Sequence, residues 1–217
     1  MTPPHNPSTD RTTTPEPPSD EDHRGVVGNE RLTALAGALL LALIAAETAT
    51  IGNIRALTSV HVVIGVLLAG PLTVKTASIG WRFIRYYTGH PAYRHKGPPR
   101  PLQRTLSPLL LVCTLIVISS GTALVTTTPG TYGPLYVTHK ASFLAWAVLA
   151  AAHLLAYLRR VPRLIADDWR PDHAQHPAGR WHRLTINLAA LTAAAIAAVL
   201  IPPAFTPWTH LTDTIHR

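Results

Sequence analysis

HKASFLAWAVLAAAHLLAYLRR, residues 139–160, is about one membrane crossing long. Some ~20 apolar residues, rising about 1.5 Å each, traverse a ~30 Å hydrocarbon core. The stretch closes on a basic pair, Arg159 and Arg160. Inside it stand His139 and His153, fourteen residues apart. That interval is nearly four helical turns, so both imidazoles project from almost one face, roughly 21 Å apart along the axis. Ionisable side chains inside a spanning helix are costly in lipid and mark functional positions by default. The competing reading makes each one a polar group hydrogen-bonded within a bundle, with His139 near the interface.

Composition agrees with a membrane class. The chain has 217 residues, 47% hydrophobic and only 14% charged. An ordinary soluble domain carries about a quarter charged residues. The formal net charge is +8. Nucleic acid is not the partner this implies, because the basic residues lie in short loops between apolar runs, where orientation in a bilayer explains them. The one cysteine, Cys113, sits in an apolar run and cannot build a disulfide framework or a thiolate metal site.

Residues 1–30 are rich in Pro, Ser, Thr and acids and read as a disordered cytoplasmic tail. No apolar run follows a short basic start, so a signal peptide is not expected. The first span is expected at 32–51 and carries one charge, Glu47. Glu47 reads either as an interfacial group pairing with Arg55 or as a proton-handling carboxylate. A short turn over 52–59 follows, with Thr58 or Ser59 able to cap the next helix.

The second span, 60–79, holds His61, Gly65, Gly70-Pro71 and Lys75. Gly65, one turn after His61, leaves room for a flat macrocycle to approach the backbone. Pro71 removes the bond to the Leu67 carbonyl and should kink the helix. Lys75 follows His61 by fourteen residues, and its simplest reading is snorkelling toward the basic loop. Residues 81–104 read as an interfacial loop with aromatic-belt residues and six basic side chains. A third span is expected at 106–125, then a turn-rich loop, then the fourth span quoted above. A basic loop fills 161–183, and a weakly hydrophobic, Ala-rich fifth span covers about 184–201. Its small residues suit close helix packing.

The first basic loop carries six Lys or Arg, and the second carries six once Arg159 and Arg160 at its edge are counted, whereas the other loops and the C-terminal tail carry one each. The positive-inside rule then places the N-terminus inside and the C-terminus outside a bacterial cytoplasmic membrane. The expected fold is an all-α integral membrane bundle of five transmembrane helices, with a four-helix core over 31–160. The second and fourth helices run the same way. His61 and His139 then share a level near the outer surface, and Lys75 and His153 share a deeper one. Two levelled imidazoles on two helices are what a six-coordinate b-type haem needs, one nitrogen from each face of the iron.

His61, His139 and His153, with the segment HKASFLAWAVLAAAH and the loop WRFIRYYTG, resemble the bacterial membrane cytochrome b family. That family includes the haem-bearing subunits of formate dehydrogenases and nickel–iron hydrogenases. The resemblance covers roughly 32–160. It implies an outer haem b on His61 and His139, and an inner one that would use His153 and a histidine in the first helix. No histidine lies between 32 and 51, so one haem per chain is the expectation, with Lys75 and His153 contacting a propionate or bonding within the bundle. The function implied is electron transfer within the membrane between quinol or quinone and an external redox protein. The chain would then be a respiratory-chain subunit of an oxidoreductase rather than a complete enzyme. A haem-free membrane scaffold or assembly subunit is the alternative. A transporter using Glu47 and Lys75 is a third reading, disfavoured by few intramembrane charges and five spans.

Overall fold

A computed structural model describes residues 20–97, 101–127, 133–157, 163, 166 and 179–200. The first nineteen residues of the expected tail, most of the second basic loop, the turn-rich loop and the C-terminal tail lie outside these.

The described residues form helices α1 (Asp20–Ile51), α2 (Ile54–Leu67), α3 (Ala69–Tyr87), α4 (Pro91–His95), α5 (Pro101–Thr126), α6 (Gly133–Tyr157) and α7 (Arg180–Leu200). Among them are five segments long and apolar enough to cross a membrane, with α2 and α3 joined as one. This is the pattern of a multi-pass membrane protein.

The second span breaks at Leu68, three residues before Pro71. Proline has no N–H to give the Leu67 carbonyl, so the ladder is interrupted one turn upstream. Around the gap, Leu68 N–H still reaches Ile64 O, and Leu72 N–H reaches Leu68 O. The interruption expected from Pro71 is therefore present as a break in the ladder, with Leu68 itself keeping helical dihedrals.

Helices α5 and α6 start about five residues earlier than expected, at Pro101 and Gly133, and three further boundaries differ from the sequence reading. Helix α1 starts at Asp20, inside the stretch expected to be a tail. Past Pro18 no proline interrupts it, and tertiary contacts hold its polar turns. Val26 buries itself against Ala92 and Tyr93 of α4. Glu30 pairs with Arg82 at 3.5 Å and Lys96 at 2.5 Å. The Asn29 amide donates to Ser78 O at 3.1 Å, and Ser78 Oγ donates to Asn29 Oδ1 at 2.7 Å. Helix α3 likewise continues through Trp81 to Tyr87, where an interfacial loop was expected. Its Arg85 guanidinium stacks over Trp81 at 4.5 Å, so the belt residues sit on the helix end itself. Lastly, the turn after α1 is only Gly52 and Asn53. Thr58 is not a cap: its hydroxyl donates back to Ile54 O at 2.6 Å inside α2.

Packing divides the bundle into two groups. Helices α5 and α6 pair most extensively with each other, tied by Trp146 Nε1 donating to Thr114 Oγ1 at 3.0 Å. Helix α1 packs along α2 and α3, and α7 lies against α2 and α3. The fifth span is thus built into the group of the first two. At Gly70 a Cβ would stand 2.5 Å from Ala190 O, so the backbones of α3 and α7 touch. Between the two groups lies a cavity of about 2360 Å³. That is larger than the ~300–1,000 Å³ typical of small-molecule sites.

Candidate functional site

His61 on α2 and His139 on α6 both line this cavity. Their ring centroids are 6.4 Å apart, with ring planes at 89°. The two imidazoles named from sequence spacing therefore lie next to each other, although α2 and α6 do not pack closely.

The hydrogen bonds decide which nitrogen of each ring is available. Thr50 Oγ1 lies 2.6 Å from Glu47 O and 2.8 Å from His61 Nδ1. A hydroxyl has one proton. Given to the Glu47 carbonyl, it leaves Thr50 only able to accept from His61, so Nδ1 carries the hydrogen. Glu47 Oε1, 3.2 Å from the same nitrogen, is a second acceptor for it. His139 Nδ1 stands 3.0 Å from Val117 O, and a carbonyl only accepts. Ser120 Oγ, at 3.2 Å, adds to this seat, while giving its own proton to Ile116 O at 2.6 Å. Both rings thus take the tautomer that leaves a lone pair on Nε2. Among the described residues neither Nε2 has a hydrogen-bond partner.

This is how proteins prepare metal-ligating histidines: the far nitrogen is tied to a carbonyl, hydroxyl or carboxylate, which fixes tautomer and ring orientation. Glu47 belongs to this shell. It bonds His61 rather than Arg55, because the helical turn brings Glu47 and Thr50 to one place facing α2. Gly65 lines the cavity, and a Cβ there would lie 3.3 Å from Glu47 Oε1, so the glycine gives the carboxylate its space. On α5 a Cβ at Gly121 would lie 3.0 Å from His139 Cε1 and 3.3 Å from its Nδ1. Thr50, Val117, Ser120 and Gly121 are site residues that spacing alone did not reveal. The small polar run Ser119-Ser120-Gly121-Thr122 inside an apolar span was the available signal.

Lys75 and His153 line the same cavity, close enough for the lysine charge to act on the imidazole. The Lys75 side chain reaches toward α1. Its Nζ lies 3.2 Å from where a Gly37 Cβ would stand. Gly37 is one turn deeper along α1 than Thr33, which bonds Ser78 nearer the end of α3. The ammonium is therefore held within the bundle. Among the described residues no group of three or more His, Cys, Asp or Glu side chains is arranged to hold a metal ion. A metal at His61 and His139 would need its remaining donors from elsewhere than such side chains. Comparison with family models, curated proteins and solved structures finds no match.

Proposed function

We propose that the chain is a b-type cytochrome of the bacterial cytoplasmic membrane, holding one haem between His61 and His139 and passing electrons between quinol or quinone and an external redox protein. The observation that carries this reading is the pair of Nε2 lone pairs left open on two neighbouring rings. Histidine nitrogens bind metals at about 2.0–2.1 Å. Two rings on opposite sides of one ion therefore have centroids roughly 6 Å apart, and the observed separation is 6.4 Å. The protein offers two donors at this level, which suits a metal whose other four ligands come from a macrocycle. The cavity is large and mostly apolar-lined, as a tetrapyrrole in lipid requires.

When bound between two imidazoles, such a group supplies one-electron chemistry with no open position for oxygen. The roles of the chain are then distinct. His61 and His139 ligate, Thr50 and Glu47 orient the first ring, and Val117 O with Ser120 orients the second. The test is a reduced-minus-oxidised visible spectrum of protein purified from haem-replete cells. A b-type band is expected. Its absence from folded protein would favour the haem-free scaffold.

A further inference from the structure

The described helices place a lysine ammonium inside the bundle with no acid beside it. Lys75 lies twenty-one residues after the start and twelve before the end of the 34-residue span Ile54–Tyr87, well inside the span rather than at either end. Among the described residues Lys75 has neither an ion pair nor a hydrogen bond. The two acids that α1 carries along the cavity are committed elsewhere: Glu47 to His61, and Glu30 to Arg82 and Lys96. They stand ten residues beyond and seven residues before Gly37, the residue that Lys75 Nζ abuts. Along a helix those intervals are ~15 Å and ~10 Å. His153, which lines the same cavity, contributes no negative charge.

A lysine in hydrocarbon costs several kcal/mol unless it is paired. Among the described residues the bundle supplies the space and the donor but not the anion. We infer that Lys75 and His153 form an anion-binding end of the cavity, which takes the carboxylate of an otherwise apolar molecule. The cavity walls receive the apolar body, Lys75 donates to the carboxylate, and His153 adds a second polar contact. Fourteen residues separate Lys75 from His61, roughly 21 Å along a helix, so this end is distinct from the His61–His139 level and does not rest on its assignment. Two sources present this chemistry: a long-chain fatty acid from the bilayer, or the carboxylate side chains of a tetrapyrrole.

The experiment measures binding of a spin-labelled long-chain fatty acid and of its methyl ester to the full chain in nanodiscs, together with haem per polypeptide. Wild type, Lys75→Met, Lys75→Arg and His153→Ala are compared, and helicity by circular dichroism confirms folding. A fatty-acid site predicts that wild type prefers the acid over the ester by at least about tenfold, the cost of one charge-assisted bond. Lys75→Met should lose that preference, Lys75→Arg keep it, and His153→Ala weaken it. A tetrapyrrole source predicts no such preference but a fall in haem per polypeptide in Lys75→Met, restored in Lys75→Arg. Should Lys75→Met fail to fold, Lys75→Gln and the wild-type acid-to-ester ratio carry the test. No acid preference, with haem content indifferent to Lys75, overturns the inference. A b-type signal from His61 and His139 would survive that outcome.

Discussion

Gly121 has no side chain, and His139 occupies the space this leaves. The ring is pinned by Val117 O at 3.0 Å and Ser120 Oγ at 3.2 Å. A Cβ at position 121 would meet its Cε1 at 3.0 Å, and a pinned ring cannot swing clear as a flexible chain end would. Gly121→Ala should therefore displace the imidazole by a few tenths of an ångström while leaving the helix intact. Loss of orienting contacts typically weakens metal binding ~10–100-fold. Haem titration of the apoprotein should show weaker binding of that order in Gly121→Ala, with circular dichroism unchanged. Equal affinity would show that the seat on α5 does not position His139. At this scale the closeness of His61 and His139 was legible, since an ionisable residue in an apolar run stands out by itself. The orienting groups were not, because one is a backbone carbonyl, which no residue letter encodes, and Thr50 reaches His61 only once two helices have packed.

Among the elements, α7 is the one whose place the sequence left open. Its length and Ala content announced a span with close packing, but not which partner it would take. Gly70 on α3 makes the choice visible: a Cβ there would clash with backbone atoms of Ala190 at 2.5 and 2.9 Å. Asn187, Ala194 and Ala198 lie buried along the packed stripe of α7. Forcing volume into a closed interface typically costs about 1–3 kcal/mol. Gly70→Val should lower the unfolding midpoint in detergent accordingly, whereas Gly80→Val, at an open helical position, should hold it or raise it slightly, because Val is the better helix former. Equal midpoints for the two variants would mean that α3 and α7 are not in backbone contact. The polar start of α1 was illegible for a related reason. Its helicity depends on Tyr93, Arg82 and Lys96, more than fifty residues away in the chain, and composition alone describes only the isolated segment.

At the scale of the whole molecule, four of the five apolar spans line most of a large cavity, and the distribution of Lys and Arg predicts an orientation. The loop around Lys96 is the basic side, so a reporter inserted there should behave as cytoplasmic and one fused after Arg217 as external. Finding both on one side would contradict an odd number of crossings. The cavity joins two levels, His61 with His139 and Lys75 with His153, and the first defines the proposed function. The decisive measurement is the low-temperature electron paramagnetic resonance spectrum of the oxidised protein, in wild type, His61→Ala and His139→Ala. A six-coordinate low-spin signal is expected in wild type and should be lost in each single variant, because either substitution removes one of two axial nitrogens. Persistence of an unchanged low-spin signal in both variants would show that His61 and His139 are not the ligands.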